Sequence, residues 1–212
     1  MDDFGTDNPP YSGTDRRVQN RIATMYKPVI VELDDFAGLC LMRNLSSSGM
    51  MGQIGTIFAK QAPVRVQLSQ MHAVSGRIAW SEDGKVGISF DEAVDVAAIF
   101  ADFSQNRSDG LLARQPRLPI RCKGTITLGT LSVAVEAINI SQGGVKVNAE
   151  CLCPEDEVNV RLDGLGARRA IVRWVQAGCA GLNFVQPLAF DELATWAVRR
   201  QASAAELRAT SD

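Results

Sequence analysis

The sequence predicts a mainly β protein of two tandem six-stranded antiparallel barrels, each with a C-terminal α-helix. Short runs rich in β-branched residues alternate with turn signals, and a helical stretch closes each half of the chain. The halves also repeat one another, because six unlike residues recur at an offset of 94 to 96 positions. The 212 residues suffice for two domains of roughly 100 residues each. The recurring residues are Arg21, Asn44, Ser46, Gly49, Trp80 and Phe90, which return as Arg117, Asn139, Ser141, Gly144, Trp174 and Phe184.

The first unit is predicted to span residues 16–104, after a flexible N-terminal tail over residues 1–15 that is rich in Asp, Gly, Pro and Ser. Asp83-Gly84 predicts a tight hairpin between two strands. Asp91-Glu92 predicts the beginning of a helix, since acidic residues suit the first turn. The apolar runs indicate about six strands, including residues 28–33, 38–42, 64–68, 76–80 and 86–90.

The second unit is predicted to span residues 112–212, after a polar linker over residues 105–111. Trp80, Trp174 and Trp196 are expected in the core, with stacking against a ligand as the alternative for the first two. The predicted strands are 120–128, 131–138, 145–148, 158–162, 170–175 and 180–185. The terminal helix is predicted from an apolar stripe of Leu188, Leu193, Trp196 and Ala197, with Arg199, Arg200 and Arg208 outside it.

The composition of the chain argues against several classes of partner and function. A net charge of −2 argues against a nucleic-acid polymer or an anionic membrane as a partner, and no apolar run approaches a membrane span. Five scattered cysteines indicate reduced thiols and a cytoplasmic protein. Cys151-x-Cys153 is interpreted as a pair of ordinary strand residues rather than a zinc site, and His72 as a surface residue without a catalytic partner. Lacking a nucleophile with its base, the sequence predicts a protein that is not an enzyme and needs no cofactor or metal.

A cluster of arginines and a polar turn form the candidate ligand site. Guanidinium groups match phosphate oxygens and the acceptor edge of guanine, and an Asn amide can pair with a base edge. A glycine permits a tight turn, or the approach of a ligand to the backbone. Taken singly, the arginines would be interpreted as part of a solvated tail, and the Asn–Ser–Gly segment would be interpreted as an ordinary turn. The residues are Arg16, Arg17, Arg21, Asn44, Ser46 and Gly49.

Together, Arg17-x-x-x-Arg21 and Asn44-x-Ser46-x-x-Gly49 resemble the PilZ domain, whose motifs are Arg-x-x-x-Arg and (Asp/Asn)-x-Ser-x-x-Gly. Residues 76–80 and 86–91 also resemble the final strands of that family, and the resemblance covers nearly the whole chain as two units. The resemblance implies binding of the bacterial second messenger cyclic di-GMP, often as an intercalated dimer. Arg16 matches the arginine that frequently precedes the Arg-x-x-x-Arg motif in that family.

The second unit departs from the family pattern. The spacing of 22 residues to Asn139 aligns Arg117 with Arg21, but Ala113 stands where the family has its other arginine, and Arg114 is one place off. An alternative register, Arg117-x-x-x-Arg121, restores the motif but shortens the spacing. A second, weaker site is therefore expected at Arg114, Arg117, Asn139, Ser141 and Gly144.

The resemblance implies a non-enzymatic receptor that relays cyclic di-GMP to an effector protein by a conformational change. The alternative is a ligand-independent adaptor of motility, pilus or exopolysaccharide machinery. A barrel that binds single-stranded nucleic acid is disfavoured by 6% aromatic residues and the negative net charge.

Overall fold

The computed structural model describes residues 26–34, 36–69, 71–105 and 115–209. They form two closed, antiparallel six-stranded barrels, which confirms the predicted fold class. Barrel 1 has the strand order β1-β2-β3-β6-β5-β4. Its elements are β1 (Lys27–Leu33), β2 (Phe36–Ser46), β3 (Gly49–Gln53), β4 (Pro63–Gln67), β5 (Ala73–Glu82), β6 (Lys85–Phe90) and α1 (Val96–Gln105).

Barrel 2 repeats this plan with the strand order β10-β11-β12-β9-β8-β7. A longer helix follows the last strand. The elements are β7 (Cys122–Leu128), β8 (Leu131–Ser141), β9 (Gly144–Asn148), β10 (Glu157–Leu162), β11 (Arg168–Gln176), β12 (Cys179–Phe184) and α2 (Phe190–Ala209).

Turn and capping residues explain two of the element boundaries in barrel 1. Asp83 and Gly84 have φ values of 49° and 69°, as a two-residue hairpin turn with positive φ requires, which confirms the predicted hairpin. The expected helix start at Asp91-Glu92 is wrong, because α1 begins at Val96. The side chain of Asp95 caps it, since Oδ1 accepts hydrogen bonds from the backbone N–H groups of Ala97 and Ala98 at 2.9 and 3.1 Å.

Each barrel has its own core, but β1 and β2 are buried on both faces. Val29 and Val31 are buried inside barrel 1, whereas Ile30 and Leu39 belong to the buried cluster of barrel 2. The amide of Gln201 on α2 bonds both backbone groups of Ala37: its Oε1 accepts from the N–H at 2.7 Å, and its Nε2 donates to the carbonyl at 2.8 Å. The unbroken apolar run at the start of β1 is the sequence signal of this double burial.

Four strands carry a β-bulge at matching positions of the two barrels. The register shifts between Met42 and Asn44 in β2 and between Ile78 and Trp80 in β5. Equivalent shifts occur in β8 and β11, before Asn139 and Trp174. Because a bulge adds one residue, it reverses which face the following side chains occupy.

The helices of the described residues include none that is both long and apolar enough to span a bilayer. Trp196 is 5% exposed and its Nε1 donates to the carbonyl of Asp163 at 2.9 Å, which confirms its predicted place in the core. Leu188 is buried, but it precedes α2 rather than forming part of its stripe.

Candidate ligand-binding site

A row of four residues crosses the outer face of barrel 1. Asn44 on β2 pairs with Met51 on β3, Met51 pairs with Gly87 on β6, and Gly87 pairs with Trp80 on β5. All four line one open cleft of about 290 Å³. The row therefore places an amide and an indole at the two ends of a single surface; we call it row 1.

The bulges explain why these two side chains face outward. In β2, Met42 is buried inside the barrel, and the bulge then puts Leu45 inside and Asn44 outside. In β5, Ile78 is buried, and the bulge puts Trp80 on the outer face. Bulges are frequent next to functional sites because they re-aim a side chain.

The expectation that Trp80 and Trp174 are core residues is wrong. Their exposures are 42% and 40%, and each indole lies over a glycine of the neighbouring strand. A Cβ at Gly87 or Gly181 would lie 2.1 Å from Nε1 of the tryptophan above it, so neither position has room for a side chain. An exposed aromatic ring on the outer face of a barrel is suited to stacking on a planar ligand.

The turn beside the row has a structural basis of its own. Ser46 Oγ donates to the carbonyl of Gly49 at 3.1 Å, and Ser141 Oγ donates to that of Gly144 at 3.3 Å. Gly49 does not have a positive φ; a Cβ there would lie 2.4 Å from the carbonyl oxygen of Ile88 on β6. The serine therefore closes the hairpin, and the glycine allows β3 and β6 to approach closely.

The same turn is tied to the segment that leads into the helix. The carbonyls of Ser47 and Ser48 accept hydrogen bonds from the N–H groups of Val94 and Phe90, each at 2.9 Å. In barrel 2, Gln142 and Gly143 accept from Leu188 and Phe184 at 2.8 and 2.9 Å. A movement of the turn would therefore displace the segment that precedes α1 or α2, to which it is hydrogen-bonded.

The cleft itself carries no charged side chain among its lining residues. Besides row 1, its wall is formed by backbone, hydroxyl and apolar groups. Positive charge for an anionic ligand has to come from outside the lining. The remaining lining residues are Leu45, Ser46, Ser48, Gly49, Met50, Ala79, Ile88 and Ser89.

The arginine arm itself, with Arg16, Arg17 and Arg21, lies outside the described residues. The first described residue is Tyr26, and the Arg43 guanidinium lies over its ring, with Cζ 4.0 Å from the ring centroid. Arg43 Nη2 also donates to Gln53 Oε1 at 2.8 Å. Arg43 directly precedes Asn44, so this contact fixes the start of β1 beside row 1.

Barrel 2 brings an arginine of the motif and its asparagine together. Arg117 Nη1 donates to Asn139 Oδ1 at 3.1 Å, and a two-way backbone bridge between Leu118 and Ile140 holds the segment. Arg121, the arginine of the alternative register, instead pairs with Glu136 at 3.3 Å. Arg114 lies outside the described residues.

Barrel 2 also repeats the row itself. Asn139 pairs with Lys146 on β9, Lys146 pairs with Gly181 on β12, and Gly181 pairs with Trp174 on β11. We call this row 2. It differs from row 1 at one position, where Lys146 replaces Met51. Sequence reasoning missed both rows because it treated the tryptophans as core, although their repetition beside repeated glycines was visible.

His72 has a partner that the sequence did not reveal. Its Nδ1 lies 2.7 Å from Oδ2 of Asp102 on α1, and Ser69 Oγ donates to the same oxygen at 2.9 Å. These hydrogen bonds hold the pKa of the Asp102 carboxyl below its usual value of 3.8. Ser69 Oγ also lies 3.2 Å from His72 Nδ1, so the serine and the carboxylate meet the same ring nitrogen, whereas a nucleophile–base relay uses the two opposite nitrogens. The cluster fastens α1 to the loop before β5.

The cysteines fall into two groups. Burial raises the pKa of the Cys40 thiol to about 12 and that of Cys122 to about 11. Cys151 and Cys153 are exposed in the loop between β9 and β10, so their interpretation as strand residues is wrong. Within the described ranges, no group of three or more His, Cys, Asp or Glu side chains is arranged to hold a metal ion.

The fold and the repeated row define a class of protein, in which two tandem six-stranded barrels each present the same amide–indole surface beside a Ser–Gly turn. The family model of the PilZ domain matches residues 15–100 and 112–196. The chain therefore belongs to the PilZ family. A search of curated proteins returned no match.

Several solved structures are similar to the chain at low identity. PlzA of Borreliella burgdorferi in complex with c-di-GMP is 10% identical, with 82% of this chain and 88% of that chain covered and a TM-score of 0.36. The motility inhibitor MotI (DgrA) of Bacillus subtilis is 14% identical, with coverage of 84% and 97% and a TM-score of 0.33. YcgR of Escherichia coli in complex with c-di-GMP is 10% identical, with coverage of 88% and 85% and a TM-score of 0.29.

Proposed function

We propose that this protein is a non-enzymatic receptor for cyclic di-GMP and that barrel 1 binds the ligand over row 1. The observation that carries the proposal is row 1 itself, an asparagine and an exposed tryptophan at the two ends of one cleft. Membership of the PilZ family supports the choice of ligand, since barrel 1 retains both motifs of that family. The proposed ligand residues are Arg16, Arg17, Arg21, Asn44, Ser46 and Gly49, to which we add Trp80.

The chemistry of the surface fits a guanine dinucleotide. Trp80 offers an aromatic face, and stacking of a base on such a face is worth roughly 1–3 kcal/mol. The amide of Asn44 offers both a donor and an acceptor to a base edge. The phosphates need cations that the cleft lining lacks, and the three arginines of the arm supply that charge.

The anchoring of the start of β1 supports the arm as the source of these cations. The Tyr26–Arg43 contact holds that strand start next to Asn44. Arg21 is five residues upstream of Tyr26, a separation that spans at most about 18 Å, and we infer that this tether is short enough for the arm to meet a ligand bound over row 1. We infer that ligand charge orders the arm over the cleft.

A titration of cyclic di-GMP tests the proposal. We expect binding by calorimetry, weakened at least about tenfold in an Arg17→Ala/Arg21→Ala double variant and in Asn44→Ala, because each loses hydrogen bonds to a charged or base-edge group. Trp80→Ala should weaken binding to a similar extent. Arg65→Ala is the matched control: it removes an exposed arginine that lies 3.9 Å from Glu32, on a different strand.

The outcome separates the receptor from the alternative. An absence of heat at ample ligand, or equal affinity in the double variant and the control, contradicts the receptor. If the protein then captures a partner regardless of nucleotide and of Arg17→Ala, it acts as a ligand-independent adaptor. In the receptor, the hydrogen bonds that the carbonyls of Ser47 and Ser48 accept from the segment before α1 offer a route from the cleft to an effector-binding surface.

A further inference from the structure

We propose that barrel 2 carries a separate binding site for a purine mononucleotide, built on row 2. The row combines an exposed indole at one end with an asparagine at the other, as row 1 does. Trp174 is 40% exposed and lies over Gly181, where a Cβ would lie 2.1 Å from its Nε1. The same bulges re-aim the side chains in both barrels, so the platform is built into the fold of barrel 2.

Lys146 gives row 2 a charge that row 1 lacks. Its Nζ lies over the Trp174 ring, 5.9 Å from the ring centroid, in a cation–π contact. The ion pairs of the described residues do not include Lys146, so no carboxylate neutralises it there. A base that stacks on Trp174 has to displace this ammonium from over the ring, and the flexible lysine side chain then lies beside the base, where it can pair with the phosphate.

Arg117 adds a second positive charge at the other end of the row. Its bond to Asn139 Oδ1 also orients the asparagine, so that the amide NH₂ group is the donor left for a ligand. The indole and the ammonium match one base and one phosphate, and the Arg117 guanidinium makes this end of the row more positive while it holds Asn139. Ala113 stands where barrel 1 has an arginine, so the charge in barrel 2 suits a mononucleotide better than a stacked pair of dinucleotides.

The inference does not depend on cyclic di-GMP binding by barrel 1, because it uses residues of barrel 2 alone. The chain has three tryptophans, of which Trp196 is 5% exposed. Trp80→Phe therefore leaves Trp174 as the exposed tryptophan, and its fluorescence reports on row 2.

The experiment titrates 5′-GMP into the Trp80→Phe protein. We expect quenching that saturates, and a Kd that rises about tenfold when Lys146→Met is added, since one charge-assisted contact is lost. Lys146→Met installs the residue that row 1 carries at this position, so the fold should tolerate it. Lys123→Met, on β7, is the matched control and should leave the Kd unchanged. Guanosine, which has no phosphate, should bind more weakly, and its Kd should not respond to Lys146→Met.

Three results would overturn the inference: no quenching by GMP, the same Kd with and without Lys146→Met, or quenching that disappears in Arg17→Ala/Arg21→Ala. The last result would assign the signal to barrel 1. Binding of cyclic di-GMP by barrel 1 is measured separately in Trp174→Phe, so either site can fail while the other stands.

Discussion

Gly87 and Gly181 leave room for a tryptophan ring that a single methyl group in their place would contact too closely. Each lies inside a strand that is paired on both sides, where a glycine weakens the sheet, and in both barrels this glycine lies under a tryptophan ring. The absent side chain is what leaves room for the indole at this position. The exposed platform is therefore encoded by a pair of residues, a tryptophan after a bulge and a glycine opposite it.

Gly87→Ala tests this pairing. The new methyl group would lie 2.1 Å from Trp80 Nε1, so the ring has to tilt off the sheet, and we expect a loss of about 1–3 kcal/mol in the free energy of unfolding. Urea unfolding of the variant, together with the emission maximum of Trp80 in a Trp174→Phe background, measures both effects. Gly55→Ala is the control, since nothing lies within 4 Å of its Cβ. Unchanged stability and emission in Gly87→Ala would show that the ring does not rest on the glycine.

At the scale of strands and helices, alternation predicted most of the barrels but not the site. The run Val64-Arg65-Val66-Gln67 alternates cleanly, and β4 forms there with its valines buried. The same rule fails at Trp80: counting by twos from the buried Ile78 puts the ring in the core, and the bulge between them puts it outside. A bulge depends on the pairing of two strands, which a pattern along one strand does not contain.

The helix α1 depends on a contact that the sequence pattern also could not reveal. Asp102 reaches Ser69 and His72 across 33 and 30 positions of the chain. Because the pKa of its carboxyl is lowered in the folded state, the ionised form stabilises the protein above the ordinary value of 3.8, and this contribution is lost as the pH falls through the folded-state pKa.

We therefore expect Asp102→Asn to be less stable than the native chain at pH 7, with a difference that narrows as the pH falls toward 3. Urea midpoints measured across this range test the expectation. Asp91→Asn serves as the control because it removes an exposed carboxylate that precedes α1. A difference in stability that is constant with pH would show that the carboxylate charge plays no part in holding α1.

At the scale of the whole molecule, β2 connects the candidate site to the other barrel. Its beginning carries Ala37 and Leu39, which contact the cluster of barrel 2, and its end carries Asn44 and Ser46. A rigid strand that touches both a ligand cleft and an interdomain contact is suited to transmit a change from one to the other. The helix α2 thus serves as the closing helix of barrel 2 and as a support for barrel 1.

This arrangement predicts that the two barrels unfold together and that one residue can separate them. Leu39 is 2% exposed but faces α2 rather than the interior of barrel 1, so Leu39→Asp buries an unpaired charge in the interface and leaves the barrel 1 core intact. Urea unfolding is followed by tryptophan fluorescence in Trp80→Phe, where Trp174 and Trp196 report barrel 2, and in Trp174→Phe, where Trp80 reports barrel 1 and Trp196 reports barrel 2. Without Leu39→Asp both proteins should give one transition at the same urea concentration; with it, Trp174→Phe should unfold in two steps, only one of which coincides with the transition of Trp80→Phe.

Two companion variants sharpen this test. Gln201→Ala should act in the same direction by about 1–3 kcal/mol, because it leaves the backbone groups of Ala37 without their partners. Leu131→Asp is the matched control, since Leu131 is 49% exposed on β8 and its replacement should leave the transitions coincident. If Leu39→Asp also left them coincident, the contact between α2 and β2 would not couple the barrels, and the route from the cleft would have to run through the turn at Ser47 and Ser48 instead.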